Sequence, residues 1–290
     1  MINNFIRFYE EGDIKNLTSV LLHSCSWQQH GFKAFGSSQI NTVLTHWLSL
    51  VGRSQTEIVS QVNSENMSTA LIKLYPYSNQ SSQDKVVLLS LAVEHNGRVV
   101  KSVDCVVNTQ LVADRKGVDI LSLSQSLPNP DPLVLSEYDH QDHLQNNLAL
   151  PSNLVRNNNV DTSLLDKWWQ IHSVGQLSNI DALYSENASI VALSSGRTII
   201  KNELFTSLCH FRTQFLRPFS QLESVTTEDN FVAIVWLFEG DDTDTSERMR
   251  LRVVSHLELV DGHIINESSV FDLAAHFKRY PNSTLRLSGI

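Results

Sequence analysis

Apolar positions in the second half of the chain follow a helical spacing first and a strand spacing afterwards. From residue 164 to 172 they recur every three to four residues, which predicts an amphipathic helix. A second helix is predicted from 177 to 184, just after Gly175, and a third from 200 to about 215. Strands are predicted at 188–193, 221–226, 231–238, 249–260 and 263–271.

The first half repeats this order. Helices are predicted at 2–9, 17–22 and 40–50, and strands near 26, 57–62, 67–75, 86–94 and 99–107. Helices followed by a meander of strands indicate an α+β fold. In each half we expect about three N-terminal helices to pack on one face of a curved, mainly antiparallel sheet.

The two halves also match residue by residue, which indicates a tandem duplication. An offset of 163 aligns Gly12 with Gly175 and Asn16 with Asn179. Later blocks match in the same order: 36–44 with 196–204, 66–74 with 230–238, and 96–100 with 261–265. We therefore expect a domain at 1–112, a linker at 113–160, a second domain at 161–280 and a tail at 281–290.

Composition and charge exclude several classes of protein. The net charge of −9 gives no basic field for nucleic acid. The sequence has no apolar stretch of about 18 residues and no secretory leader, so we expect a cytoplasmic protein without a membrane partner. The three cysteines lie far apart, which argues against disulfides or a zinc site.

Cofactor signals are weak. The sequence contains no glycine-rich phosphate loop. Asp139, His140, Asp142 and His143 carry side chains that a metal accepts, but they lie in the predicted linker, where solvated side chains are the common case. We therefore expect neither a metal nor a cofactor.

Several short motifs of the second half resemble a known family. They are Gly175-Gln176-Leu177, the run from Leu183 to Ala188, Asp261-Gly262-His263-Ile264, and Val270-Phe271-Asp272. On these residues each half resembles a SnoaL-like domain of the nuclear transport factor two-like superfamily, which includes cystatin-like cones and ketosteroid isomerases. The resemblance implies a cone-shaped domain with an apolar cavity between sheet and helices. It also implies pairing through the convex sheet face, so the two domains would form a pseudo-dimer within one chain, with a further homodimer left open.

The catalytic positions of the ketosteroid isomerase branch do not carry over. The resemblance places the base at Ala192 and Gln29, the tyrosine at Trp168 and Phe5, and the acidic donor at His256 and Leu91. None of these residues can supply the carboxylate base or the protonated acid that this chemistry requires. We therefore expect no isomerase activity of that kind.

The remaining candidates form a ligand pocket in the second domain. The resemblance places His256 inside the cavity, where an imidazole could bind a polar group or move a proton. Trp168, His172, Tyr184 and Trp236 would form the wall. In the first domain Leu89, Leu91 and Val93 occupy the corresponding side, which predicts an apolar or filled interior.

Three functions compete. The first is binding of a small apolar or aromatic molecule in the second domain. The alternative is an enzyme of the SnoaL-like cyclase, dehydratase or isomerase type that uses His256 as acid and base, together with His172. The third is a non-catalytic association module whose interior is filled by Trp168, Trp169 and Phe211. We rank binding first.

Overall fold

The computed structural model describes residues 2–77, 86–128, 155–156, 161–191 and 198–285, with the backbone alone at 155–156. The described residues fall into two compact units. The first contains residues up to 128 together with 272–279, and the second contains the remainder. The predicted second domain, 161–280, includes the 272–279 segment, which the structure groups with the first unit.

The first unit has three helices around two strands, then a meander and two further helices. Its elements are α1 (Ile2–Glu11), α2 (Ile14–Ser19), β1 (Leu21–Gln29), β2 (Phe32–Phe35), α3 (Gly36–Val51), β3 (Ser54–Asn63), β4 (Met67–Pro76), β5 (Val87–His95), β6 (Val100–Val107), α4 (Thr109–Lys116) and α5 (Ile120–Ser126). The sheet order is β2-β1-β6-β5-β4-β3. Neighbouring strands are antiparallel except β1 and β6, which are parallel.

The second unit repeats the arrangement with longer strands. Its elements are β7 (Val155–Arg156), α6 (Thr162–Val174), a 3₁₀ turn (Leu177–Asn179), α7 (Ile180–Leu183), β8 (Tyr184–Val191), β9 (Thr198–Ile200), α8 (Lys201–Thr213), β10 (Phe215–Glu228), β11 (Phe231–Asp242), β12 (Arg248–Val260) and β13 (His263–Phe271). The sheet order is β7-β10-β11-β12-β13-β8-β9. Strand β8 pairs in parallel with β13, as β1 does with β6. The predicted α+β fold in two tandem halves is confirmed.

Local sequence signals set the ends of α6. The side chain of Asp161 accepts a hydrogen bond from the backbone N–H of Ser163 at the N-terminus, which satisfies a donor left free by the first turn. Gly175 ends the helix at φ +77°, a left-handed conformation that favours glycine. A Cβ there would also lie 2.8 Å from Nε of Arg212, so a larger residue would require the Arg212 side chain to shift.

Two differences from the predicted elements have physical causes. Pro218, just after the predicted end of the third helix, lies inside β10 at an irregularity between Leu216 and Phe219, where the missing N–H of proline is tolerated. Helix α5 occupies part of the predicted linker, because Asp119 caps it through the N–H of Ser122. Most of the predicted linker, residues 129–154 and 157–160, lies outside the described residues.

The segment after β13 is anchored in the first unit. Its helix α9 (Leu273–Arg279) contacts α4 and α5. Asp272 precedes this helix and accepts hydrogen bonds from Thr109 Oγ1 (2.9 Å) and from a ring nitrogen of His30. Thr109 Oγ1 in turn accepts the backbone N–H of Ala274 at 2.8 Å. A polar chain thus fixes the start of α9 inside the first unit.

Among the described helices, none has the length and apolar character needed to cross a membrane.

Candidate functional site

Four of the five predicted pocket residues meet in the interior of the second unit. Trp168 and His172 lie one turn apart on α6, with ring centroids 4.2 Å apart. Trp236 of β11 contacts both rings, at 6.1 Å from Trp168 and 5.2 Å from His172. Tyr184 is the first residue of β8. The interior face of the sheet is therefore the face that carries Trp236.

Glu267 of β13 lies at the centre of these residues. Its Oε2 accepts hydrogen bonds from Tyr184 Oη at 2.5 Å and from Trp168 Nε1 at 3.2 Å. Its Oε1 accepts one from Ser269 Oγ at 3.1 Å. The sequence analysis did not select Glu267, although strand alternation on β13 places it on the same face as Ser269 and Phe271. A carboxylate on the interior face of a strand was the feature of the sequence that could have identified Glu267.

A hydrogen-bonded chain extends from this carboxylate across three strands. Trp236 Nε1 donates to Ser255 Oγ at 3.1 Å, and Ser255 Oγ lies 2.7 Å from Ser269 Oγ. Because Ser269 donates its single hydroxyl proton to Glu267, Ser255 must donate to Ser269. Every donor in the chain therefore points toward Glu267.

His172 has one ring nitrogen in an unusual position. Its Nε2 lies 3.8 Å from Oε1 of Glu267, and within the described part of the chain this buried atom has no hydrogen-bond partner. The backbone oxygen of His172 is occupied by Arg212 Nη1 and Ser220 Oγ, both at 3.0 Å. Most buried polar groups are hydrogen-bonded, so such an exception requires an explanation.

Burial sets the charge states of the two groups. It raises the pKa of Glu267 above its ordinary value, against the opposing effect of hydrogen bonds from Tyr184, Trp168 and Ser269. Burial lowers the pKa of His172 to about 3, and the charge of Arg212 adds to this effect. His172 is therefore a neutral imidazole at physiological pH, next to a carboxyl group that gains a proton more readily than usual.

His256, the expected acid and base, does not face this interior. Ser255 of β12 contacts Trp236 on the interior face, and successive strand residues point to opposite sides. His256 therefore lies on the other face, between Ala233 and Ser268 of the neighbouring strands. Burial lowers its pKa to about 3. The expectation that it shares the interior with Trp168 and His172 is corrected.

The resemblance that placed His256 inside also set it opposite Leu91 of the first half. In the sheets, Leu91 pairs with Cys105 and Ser255 pairs with Ser269, so Leu91 corresponds to Ser255. Its alignment with His256 was wrong by one position. Because the side-chain period of a strand is two, one residue of slip exchanges the two faces.

The first unit provides an internal comparison. Trp27 pairs with Val103 as Ile190 pairs with Glu267, so Val103 occupies the position of Glu267. By the same register Cys105 replaces Ser269 and Leu91 replaces Ser255, and all three are buried. The first interior therefore has apolar side chains in place of Glu267 and Ser255, and a thiol in place of the Ser269 hydroxyl group.

The described part of the chain places none of the other candidate catalytic or metal-binding residues from the sequence analysis in this site. Among the described residues, no group of three or more His, Cys, Asp or Glu side chains could hold a metal. Ala192 and the cluster from Asp139 to His143 lie outside the described residues. In the first unit, Gln29 accepts a hydrogen bond from Trp27 Nε1 and lies 3.1 Å from the His30 ring. Through His30 it is connected to Asp272 at the start of α9.

Comparison with known proteins finds likeness in fold. No protein-family model and no curated protein matches the chain. IdmH of Streptomyces antibioticus, described as a candidate polyketide cyclase, is 11% identical over 41% of this chain and 96% of its own, with a TM-score of 0.38. A candidate SnoaL-like polyketide cyclase of Jannaschia sp. CCS1 is 14% identical over 41% of this chain and 92% of its own, with a TM-score of 0.37.

A third solved structure belongs to a Catenulispora acidiphila protein with a ketosteroid isomerase-like fold, in complex with trimethylamine. It is 10% identical over 45% of this chain and 99% of its own, with a TM-score of 0.38. Each likeness covers less than half of this chain and concerns the fold alone.

Proposed function

We propose that the second half binds a small apolar or aromatic molecule and that Glu267 and His172 hold its polar group. The rings of Trp168 and Trp236 provide the apolar surroundings, and Glu267 and His172 are the polar groups that converge among them. Few polar groups in a mostly aromatic interior are the usual composition of a small-molecule site.

The observation that carries this proposal is the contrast between the two halves. A carboxyl group buried against neutral donors costs folding free energy. The fold does not need it, because the first half has Val103 at the same position. A polar chain that the fold can replace with apolar residues supports a role in binding.

Among the described residues this interior is closed, whereas the resemblance implied a cavity between sheet and helices. Trp168, Tyr184 and Trp236 are at most 1% exposed, Glu267 is 3% exposed and His172 is 4% exposed. A ligand must therefore displace neighbouring side chains as it enters. We expect association to be slower than for a preformed open pocket, because binding that requires a conformational change lowers the association rate constant.

A thermal-shift screen tests the proposal. Wild type, His172→Phe and His256→Ala are heated with hydrophobic acids, sterols and aromatic polyketides. His172→Phe keeps an aromatic ring beside Trp168 and removes Nε2. His256→Ala alters the opposite face of the sheet and is the matched control.

Ligands that bind the folded state raise its stability. We expect at least one compound to raise the Tm of the wild type and of His256→Ala, and to have little effect on His172→Phe. An equal shift in all three proteins, or no shift with any compound, would contradict the proposal.

Acid–base catalysis at the same site is the second candidate. It is favoured by one observation, the raised pKa of Glu267 beside the hydroxyl group of Tyr184 and the neutral ring of His172. Glu267 thereby takes the role that the sequence analysis gave to His256. Exchange of the α-protons of 2-tetralone in D₂O, followed by NMR, tests this candidate. Acceleration by wild type but not by Glu267→Gln would support it, and equal rates would rule it out.

A further inference from the structure

We infer that the site of the second half selects an apolar molecule with a neutral hydroxyl group and discriminates against the matching carboxylic acid. This inference rests on the proposed binding function and specifies its ligand. It is carried by the geometry of two atoms, Nε2 of His172 and Oε1 of Glu267, and by the charges around them.

The two atoms are separated by a distance that one oxygen can bridge. At 3.8 Å, Nε2 and Oε1 are too far apart for a direct hydrogen bond, which requires about 3.2 Å or less. An oxygen atom about 2.8 Å from each of them would make two hydrogen bonds of ordinary length. It would also give His172 Nε2 the partner that it lacks among the described residues.

A hydroxyl group suits this position in either tautomer of His172. If Nε2 is an acceptor, the hydroxyl donates to it and accepts from a protonated Glu267. If Nε2 carries the proton, the hydroxyl accepts from it and donates to the Glu267 oxygen. A hydroxyl group can do both because it has one donor and two acceptor sites.

A carboxylate is disfavoured at the same position. It can only accept hydrogen bonds. Beside an ionised Glu267 it would add a second negative charge to a buried site, where like charges repel strongly. Beside a neutral Glu267 it would bring an unpaired charge into that site, which is also costly. The Arg212 guanidinium is directed at backbone oxygens of the same helix: Nη1 lies 3.0 Å from that of His172, and Nη2 lies 3.5 Å from that of Ser173.

Three compounds with one ring system test the inference: naphthalene, 2-naphthol and 2-naphthoic acid. Their dissociation constants are measured by titration calorimetry at about pH 7, where the acid is ionised. The proteins are wild type, His172→Phe, Glu267→Gln and the control His256→Ala. Circular dichroism establishes that each variant is folded.

For wild type and His256→Ala, we expect 2-naphthol to bind about tenfold more tightly than naphthalene, the effect of one well-placed hydrogen bond. We expect 2-naphthoic acid to bind at least tenfold more weakly than 2-naphthol. In His172→Phe the advantage of the hydroxyl group should disappear. In Glu267→Gln the penalty against the acid should shrink, because the neighbouring carboxyl group is gone.

The outcomes separate the two proposals. If the naphthalene compounds bind but the acid equals or exceeds 2-naphthol, the hydroxyl inference is overturned and binding stands. If 2-naphthol binds no more tightly than naphthalene, the inference is likewise overturned, because the gap between His172 and Glu267 is then filled by water or left empty. If none of the three compounds binds wild type, the binding function itself fails.

Discussion

The hydroxyl group of Tyr184 donates a hydrogen bond of 2.5 Å to Oε2 of Glu267, between residues that are 1% and 3% exposed. This bond joins the start of β8 to the middle of β13, and it leads through Ser269 and Ser255 to Trp236. At the positions of Glu267 and Ser255 the first half has the apolar residues Val103 and Leu91, so the buried carboxyl group has no counterpart there.

Removing the Tyr184 hydroxyl should destabilise the protein. In Tyr184→Phe, Glu267 loses a donor in a buried site, and we expect unfolding to become easier by about 1–3 kcal/mol. Tyr75→Phe is the matched control, because Tyr75 donates to Glu57 in a solvent-exposed pair and should cost less than about 0.5 kcal/mol. Urea unfolding measures both. An equal loss of unfolding free energy in the two variants would show that the buried Tyr184–Glu267 bond stabilises the protein no more than the exposed one.

The raised pKa of Glu267 predicts a pH dependence of stability. Its folded pKa lies above its ordinary value of 4.5, so the folded state holds this proton more tightly than the unfolded state. The resulting stability is fully present below about pH 4.5 and is lost as pH rises through the folded pKa, at up to about 1.4 kcal/mol per pH unit in that window. Relative to Glu267→Gln, wild type should therefore lose stability as pH rises. Parallel unfolding profiles for the two proteins would contradict this.

The lowered pKa of His172 predicts the opposite pH dependence of stability. Its pKa of about 3 lies below the ordinary value of 6.5, so the unfolded state binds the proton more readily. Stability is fully present above about pH 6.5 and is lost as pH falls toward 3. His172→Phe should lose less stability than wild type between pH 7 and pH 4, as measured by urea unfolding at each pH. A variant as acid-sensitive as wild type would argue against a neutral buried imidazole.

Asp272 should stabilise the first unit specifically. It accepts hydrogen bonds from His30, Thr109 and the backbone N–H of Ala275. Asp272→Ala should cost about 3 kcal/mol, because it leaves buried polar partners unsatisfied. Hydrogen exchange followed by mass spectrometry should show faster exchange at 21–35 and 100–116. Loss of protection confined to 231–260 would contradict the placement of this segment.

Much of the fold could be predicted from the sequence, because periodicity and repetition are properties of the chain itself. The helical spacing around Trp168 and the alternation along β12 both correspond to observed elements. Helix α5 was missed because it lies in the segment 113–160, which was predicted to be a linker. The position of α9 in the first unit depends on tertiary contacts of Asp272, which no local pattern records.

The candidate site was predicted in part. The sequence analysis selected Trp168, His172, Tyr184 and Trp236, which the structure brings together. It missed Glu267, and it favoured His256 because the family resemblance placed that residue inside the cavity. The repeat was aligned on the turn glycines of the last hairpin, which set Leu91 opposite His256. Gly97 is the second residue after His95, whereas Gly262 is the third after Leu259, although His95 and Leu259 hold equivalent places in the pairing. The turn glycine therefore sits one position later in the second half than in the first. The strand pairing, and not the position of the glycine, determines which side chains face the interior.

The most direct test of the binding site observes the imidazole of His172 itself. Protein labelled with ¹⁵N-histidine is titrated with 2-naphthol, and the ring nitrogen signals are assigned with His172→Phe and His256→Ala. The account predicts that the Nε2 signal of His172 shifts with saturation, because a hydrogen bond forms there, while the signals of His256 stay in place. An unshifted His172 at saturating 2-naphthol, or a shift at His256 instead, would contradict it.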